Sequence, residues 1–234
     1  MTPLHFLSYQ ISCGGSGGRK APRAAPKARR KMTFSLLARC PDTGAFGMVI
    51  SSSSPAVAAR CAHARAGVGV AATQNITDPT LGPKLLDALA AGADAASAMQ
   101  QVTATAPHID YRQLMVVDRH GGTAFHCGSR ILGIWGIATG PGVIAGGNLL
   151  AHSGVPQAMV DGFLATRGPL GDRLIAALLA GRDAGGEAGP VHSAGLLMVD
   201  RESWPVAELR IDWSDEARPI DATARAWQVY APQM

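Results

Sequence analysis

The sequence predicts an α+β fold, a four-layer αββα sandwich in which two antiparallel sheets lie between pairs of helices. Two observations predict this class: strand-like segments come in blocks, and helix-like segments come in pairs between the blocks. In a doubly wound parallel sheet, single strands and helices would alternate instead. A third observation indicates the order of the layers. Several strands are continuously apolar, so each sheet is expected to be covered on one face by the other sheet and on the other face by helices.

The first block is a hairpin followed by a central strand. Residues 34–39 and 46–51 alternate between apolar and polar side chains, and the turn sequence Pro41-Asp42-Thr43-Gly44 joins them. Residues 66–74 predict a third strand. Its run from Gly67 to Ala72 consists of small apolar residues, which suits a strand packed on both sides.

A pair of helices follows. Pro83 stands where the first turn of the first helix starts, and an apolar stripe that includes Leu85 and Leu89 closes at Gly92. Asp94 is expected to cap the second helix, because a carboxylate accepts hydrogen bonds from the free N–H groups of a first turn.

The same order then repeats. Strands are predicted at 113–118, 123–127, 132–139 and 142–148, the first two joined at His120-Gly121-Gly122. Helices are predicted at 156–166 and 170–180, strands at 194–200 and 206–212, and a last helix at 220–230. Four strands therefore follow the first helix pair, and two strands follow the second.

Residues 1–31 differ in composition from the rest of the chain. This leader holds seven of the 21 Lys and Arg residues and no acid. Residues 32–234 hold 14 basic and 17 acidic residues, a net charge of −3. Because the positive charge belongs to a segment too poor in apolar residues to fold, we expect a disordered leader or an upstream start codon, and no nucleic-acid-binding domain.

Residues 32–234 are expected to form a single domain. They contain no apolar run of the roughly 18 residues that a membrane span needs, so no membrane partner is expected. The four Cys residues show no CxxC spacing, which argues against a disulfide framework and a structural zinc site. We expect a cytoplasmic protein that requires no metal and no cofactor.

Met32-Thr33 has the form of a translation start followed by a small residue, the usual condition for removal of the initiator Met. An N-terminal Thr33 would carry its own base, because an α-amino group with a pKa near ~8 would lie beside a hydroxyl that is otherwise a weak nucleophile. Thr33 is therefore the principal candidate for a catalytic nucleophile. The alternative is that Thr is merely a common second residue.

Five short segments carry a family resemblance: Met32-Thr33-Phe34-Ser35, Arg65 to Asn75, Thr77-Asp78-Pro79, Gly146 to Leu150, and His192 to Leu197. Together they resemble a bacterial family, domain-of-unknown-function family 1028, from Met32 to about Ala222. That family is grouped with the N-terminal-nucleophile (Ntn) hydrolases. The resemblance therefore implies an αββα sandwich and cleavage of an amide by a terminal Thr, Ser or Cys.

The sequence departs from the superfamily pattern in two places. A retained leader would acylate the Thr33 nitrogen, so a free amine requires translation from Met32 or cleavage there. The four serines Ser51 to Ser54 stand where relatives often place an acidic residue, so no carboxylate is carried over to this position.

Three further residues are expected to serve catalysis. Ser35 lies on the same strand face as Thr33 and could orient it or replace it as nucleophile. Asn148 follows two glycines that allow close approach of a ligand, and its amide can donate to an oxyanion. Arg65 stands roughly where proteasome-like relatives hold a Lys. Its guanidinium would stabilise anionic charge, although a structural ion pair explains it equally well.

Substrate-binding residues are expected at the ends of two strands. Thr73, Gln74, Asn75 and Asp78 surround a polar strand end where amides could act as oxyanion donors, with turn formation as the alternative. His192 and Ser193 follow a glycine-rich loop. His192 could carry a proton or contact substrate, or be an ordinary surface histidine.

These observations predict an Ntn-type hydrolase that cleaves an amide or similar C–N bond in a small molecule. The alternative is a non-catalytic small-molecule-binding protein on the same fold, because a fold does not fix a reaction. A protein tethered to nucleic acid through the leader is a third, remoter reading. We expect a homo-oligomer, a dimer, and the glycine-rich segment 140–147 suits a subunit interface or a pocket equally well.

Overall fold

The structure is a computed structural model that describes residues 32–234, so the predicted leader lies outside the described residues. Across this part of the chain the protein is a mixed α+β protein with two antiparallel sheets, as predicted, and six α-helices. The strands are β1 (Thr33–Arg39), β2 (Phe46–Ser52), β3 (Ala62–Arg65), β4 (Gly69–Asn75), β5 (Arg112–Asp118), β6 (Thr123–Cys127), β7 (Gly136–Gly140), β8 (Val143–Asn148), β9 (Ser193–Val199) and β10 (Ala207–Ile211). The α-helices are α1 (Val57–Cys61), α2 (Leu81–Ala90), α3 (Ala95–Thr105), α4 (Val155–Ala165), α5 (Leu170–Asp183) and α6 (Pro219–Tyr230).

The two sheets divide the strands between them. One has the order β10-β9-β2-β1-β8-β7, and the other has the order β3-β4-β5-β6. Strand β1 lies in the middle of the larger sheet, where Thr33 pairs with Ser52 on one side and with Asn148 on the other. The first residue of β1 is therefore held between two neighbouring strands.

Three apolar clusters hold the elements together. The first lies between the sheets and includes Leu37, Met115 and Ile144. The second packs α4, α5 and α6 against the outer face of the larger sheet, and the third packs α2 and α3 against the smaller sheet. Burial of these apolar side chains is the main stabilising contribution to the fold.

Several predicted boundaries differ from the structure. Helix α1 and strand β3 were not predicted, and the strand expected at 66–74 begins only at Gly69, because residues 65–68 turn with Gly67 at a φ of +68°. The strand expected at 132–139 begins at Gly136. The capping prediction is confirmed, since the Asp94 side chain accepts a hydrogen bond from the Ser97 N–H at 2.7 Å.

Helix α2 begins at Leu81, so Pro83 lies within its first turn. Backbone N–H groups of a first turn have no intrahelical partner, so the N–H that proline lacks costs the helix no hydrogen bond. None of the helices between residues 32 and 234 combines the length and apolar character that crossing a membrane requires.

Candidate functional site

The space between the sheets is polar at one end. Thr33 and Ser35 reach it from β1, Gln74 from β4, Gln113 from β5 and Asn148 from β8. Thr33 is 5% exposed and the other four are fully buried. Because side chains alternate along a strand, each of these residues shares its face with the apolar residues of the inter-sheet cluster.

Four of these side chains form one hydrogen-bond network. Ser35 Oγ donates to Gln74 Oε1 at 2.9 Å, and Gln74 Nε2 donates to Gln113 Oε1 at 2.9 Å. The same Gln113 oxygen accepts from Asn148 Nδ2 at 3.2 Å, while Gln113 Nε2 donates to the Gly147 carbonyl at 3.1 Å. The network joins both sheets and fixes the Asn148 amide. Asn148 Oδ1 has no hydrogen-bond partner among the described residues.

Thr33 lies next to this network and is covered by Met32, which is itself buried. The Met32 carbonyl accepts hydrogen bonds from Thr33 Oγ1, at 2.7 Å, and from Ser52 Oγ. The two hydroxyl oxygens lie 3.2 Å apart. The Met32 N–H in turn donates to Ser53 Oγ at 2.9 Å. The structure thus brings Thr33, Ser35 and Asn148 together, three of the four residues predicted for catalysis.

The serine run, Ser51 to Ser54, connects Thr33 to the guanidinium of Arg60. Ser52 Oγ lies 2.9 Å from Ser54 Oγ, which accepts a hydrogen bond from Arg60 Nη2 at 2.8 Å. A continuous path of polar contacts therefore runs from Thr33 through two hydroxyls to the guanidinium of Arg60. Such a path favours negative charge at its inner end.

Arg65 is not part of this cluster. It lies at the end of β3 and pairs with Gly69, at the opposite end of β4 from Gln74. Its guanidinium forms an ion pair with Asp87 at 2.8 Å, and the two side chains are 44% and 66% exposed. The contacts match the structural alternative that the sequence left open, and Arg60 is the cation that reaches the candidate site.

The residues predicted at the end of β4 have different surroundings. Gln74 belongs to the buried network, but Asn75 has a left-handed φ of +73°, donates to the Tyr111 carbonyl at 2.6 Å and accepts from the Leu132 N–H at 3.3 Å. Thr73 Oγ1 donates to the Asp78 carbonyl, and the Asp78 carboxylate accepts from Thr80. The Thr80 hydroxyl lowers the pKa of Asp78. Outside Gln74, these residues form the turn that follows the strand.

His192 and Ser193 hold the serine run in place. The His192 N–H donates to the Ser52 carbonyl at 2.9 Å, and Ser193 Oγ donates to the Ser54 carbonyl at 2.5 Å. The His192 ring stacks on Trp213, with centroids 4.4 Å apart, and its Nδ1 contacts the Ser214 carbonyl. Both residues therefore support the site through backbone groups of β2 and the loop after it.

Glu187, in the loop between α5 and β9, is a buried acid near the same place. It is 6% exposed, and its Oε2 accepts from the Ser53 N–H at 3.0 Å. Burial raises the pKa of the Glu187 carboxyl well above its ordinary value, although hydrogen bonds from Ser53 oppose this shift.

Sequence reasoning missed Gln113, Ser52, Arg60 and Glu187. The signal for Gln113 was a polar residue on the same face as Met115 and Val117 of an otherwise apolar strand. Nothing local marked Glu187, because its burial depends on the fold of the loop. Within residues 32–234 no three His, Cys, Asp or Glu side chains are grouped as ligands for a metal ion.

The comparisons with known proteins identify the family. Residues 33–222 match the model described as "Family of unknown function (DUF1028)". The chain belongs to this family. The crystal structure of a DUF1028 protein from Silicibacter pomeroyi is similar, with 31% sequence identity and a TM-score of 0.79 over 86% of this chain and 89% of that chain. The predicted resemblance to family 1028 is thereby confirmed.

A structure of Anbu (ancestral beta-subunit) from Yersinia bercovieri also matches. It is 9% identical, with a TM-score of 0.40, over 86% of this chain and 95% of that chain. The search of curated proteins gives no match.

Proposed function

We propose that this DUF1028 protein is an Ntn hydrolase that cleaves an amide or similar C–N bond in a small molecule, with Thr33 as the nucleophile of its mature form. In this proposal the two facing sheets and their outer helices are the αββα sandwich of that superfamily. The observation that carries it is the position of Thr33, at the head of β1 between Ser52 and Asn148 and at the buried polar end of the inter-sheet space.

Removal of Met32 would prepare the nucleophile in two ways. It would give Thr33 a free α-amine, and it would release the Thr33 and Ser52 hydroxyls from the carbonyl to which both donate. The Thr33 oxygen would then attack the substrate carbonyl carbon while its proton passes to the amine, directly or through Ser52. The path from Ser52 through Ser54 to Arg60 supports negative charge on the attacking oxygen.

Asn148 is suited to the tetrahedral intermediate. Its amide nitrogen carries two N–H groups, and Gln113 accepts one of them, which leaves the other for a developing oxyanion. Its unpartnered Oδ1 can accept a hydrogen bond from the Thr33 amine. The proton held by the amine then passes to the leaving nitrogen as the C–N bond breaks, and water hydrolyses the acyl ester to restore Thr33.

The test compares three forms of the protein on a panel of small amides: wild type, Thr33→Ala and Thr33→Ser. We expect Thr33→Ala to lose turnover by a factor of roughly a thousand or more, because the nucleophile is gone, whereas Thr33→Ser keeps a hydroxyl and retains measurable activity. Circular dichroism of all three controls for folding. Equal turnover by Thr33→Ala and wild type would refute the proposal.

The second candidate is a small-molecule-binding protein without catalysis. One observation favours it: with Met32 in place, the Thr33 nitrogen is acylated and its hydroxyl is occupied. On this reading, purified protein would bind a small amide with the same affinity in wild type and Thr33→Ala, and neither would release product.

A further inference from the structure

A cavity lies beside Met32, on the helix-facing side of β1. Its volume is about 190 Å³, and its walls include Phe34, Gly186, Glu187, Gly189 and Ile220. The Met32 side chain packs over one of these residues, since a Cβ at Gly189 would lie 2.7 Å from Met32 Cε. The cavity therefore borders the space that Met32 fills. It is smaller than the roughly 300–1,000 Å³ typical of sites for drug-sized ligands, so it suits one end of a small molecule.

Glu187 is the acid that lines this cavity. One carboxyl oxygen, Oε2, accepts from the Ser53 N–H, and the other, Oε1, is buried with no hydrogen-bond partner among the described residues. No Lys, Arg or His between residues 32 and 234 forms an ion pair with Glu187. The backbone holds the acid in place, because Glu187 bridges to Leu150 and the Ala188 N–H donates to the Leu149 carbonyl.

A purely structural role does not explain this arrangement. Burial of a polar oxygen without a partner is unfavourable, and a well-packed apolar residue would fill the position without that cost. A ligand that supplies both N–H donors and a positive charge would satisfy Oε1 and allow the carboxyl to ionise.

The charges around the cavity also favour a cationic ligand. Arg182 lines the rim, but it is already paired with Asp183, at 2.7 Å, and with Asp221. Its charge is thus compensated by two carboxylates and is not available to an anion. An anionic group inside the cavity would instead lie against the Glu187 carboxyl, which cannot neutralise its charge.

We propose that this cavity binds a primary amino group of the substrate, with Glu187 as its carboxylate partner. The assignment of the amine to the substrate rests on the proposed function: the contacts from Glu187 through Ser53 to Met32 put the cavity next to the position that Met32 vacates, at the head of β1 where Thr33 would carry the acyl group. The substrate class is then a small amide that bears a primary amine near the bond that is cleaved.

Calorimetric titration of the mature protein with propylamine tests the site without requiring turnover. An ammonium ion that binds the protonated carboxyl displaces its proton. At a pH where Glu187 is protonated, we therefore expect saturable binding with release of up to one proton per amine, measured from the difference in heat between two buffers of unlike ionisation enthalpy. Propan-1-ol, which matches the probe in shape but carries no charge, is expected to bind at least tenfold more weakly.

The matched variants are Glu187→Gln, which keeps the shape of the side chain, and Glu202→Gln, which removes an exposed acid elsewhere. Propylamine affinity should fall at least tenfold in the first and stay unchanged in the second. If Glu187→Gln does not fold, proton release by wild type decides the question. Equal binding of amine and alcohol, or amine binding without proton release, overturns the proposal.

Thr33→Ala separates this inference from the proposed function. Amine binding that persists in Thr33→Ala supports the cavity site, whatever the amide panel shows. Hydrolysis that depends on Thr33, together with no binding of propylamine, would overturn the amine site and leave the hydrolase proposal standing.

Discussion

The two ends of the space between the sheets are built by the same strands and differ in the residues that face each other. At one end β1, β5 and β8 contribute Leu37, Met115 and Ile144, which are fully buried and apolar. At the other end the same three strands contribute Ser35, Gln113 and Asn148, which are equally buried. Asn148 donates to Gln113, and Ser35 is joined to Gln113 through Gln74 of β4. Burial of the apolar end stabilises the fold. The polar end contributes less to stability, but its hydrogen-bond donors and acceptors are held in fixed positions.

This contrast indicates where the chain serves function. Buried polar groups are normally satisfied, so unpartnered oxygens are expected to be rare and to mark special positions. Three side-chain oxygens between residues 32 and 234 are buried without a partner: Asn148 Oδ1, Ser51 Oγ and Glu187 Oε1. Asn148 pairs with Thr33, Ser51 pairs with Phe34, and the Glu187 carboxyl accepts from Ser53. The apolar end carries the fold, and the polar end is where we place the chemistry.

The largest expected effect comes from a substitution at the apolar end of the inter-sheet space. Leu37→Ala removes a fully buried side chain from the inter-sheet cluster and should lower the free energy of unfolding by about 2–5 kcal/mol, because it leaves a cavity. Urea denaturation monitored by circular dichroism measures this change. A loss well below that range would show that the two sheets repack readily and that their separation does not fix the site.

The next largest effect is expected on kcat, from a substitution at the polar end of the same space. Asn148→Ala should reduce kcat on an amide substrate by roughly 10²–10³, equivalent to about 2.7–4 kcal/mol of transition-state stabilisation. Asn75→Gly is the contrasting variant, since its amide ties loops together and glycine tolerates the left-handed φ. It should lower stability and change kcat by only a few fold. Equal kcat losses in both variants would contradict a special role for Asn148.

A smaller effect concerns Glu187, at the edge of the polar end. Because its pKa is raised in the folded state by burial, its contribution to stability is complete below the ordinary Glu value and is lost as the pH rises through the raised value. The stability of wild type relative to Glu187→Gln should therefore fall with rising pH, by at most about 1.4 kcal/mol per pH unit. Urea denaturation across a pH series gives this difference. A difference that is constant with pH would contradict the raised pKa of Glu187.

The smallest effect belongs to Arg65, at the far end of β3 and β4. Its ion pair with Asp87 is exposed, so Arg65→Ala should change the free energy of unfolding by about 0–1 kcal/mol and leave turnover unchanged. Arg60→Ala is the matched variant, which removes the cation that reaches Ser54 and should lower turnover. Thermal denaturation and amide turnover of both variants check the contrast, and a turnover loss confined to Arg65→Ala would reverse it.

The comparison also explains which features the sequence could predict. Local patterns predicted the hairpin of β1 and β2, the two helix pairs and the Asp94 cap, because periodicity and capping depend on neighbouring residues. Thr33 and Asn148 were singled out separately, from the Met32-Thr33 pair and from the two glycines before Asn148, and their pairing between β1 and β8 was not predicted. For Arg65 the sequence left both a charge-setting role and a structural ion pair open, because its position before an apolar strand does not reveal which end of the sheet it occupies.

The remaining features depend on contacts between distant segments. Gln113 lies 39 residues from Gln74 and 35 from Asn148, and Ser53 lies 134 residues from Glu187. No local pattern brings such residues together, because only the pairing of strands and the closing of the α5–β9 loop do so. The expected small-molecule substrate, homodimer and cytoplasmic location stay predictions.

The most direct test of the central claim is the intact mass of protein that has been purified in active form and titrated for active sites. We expect the active chain to begin at Thr33, with a free α-amine that reacts with an electrophile to give a single adduct on that residue. Full activity in a chain whose Thr33 nitrogen is still joined to Met32 would contradict the mechanism.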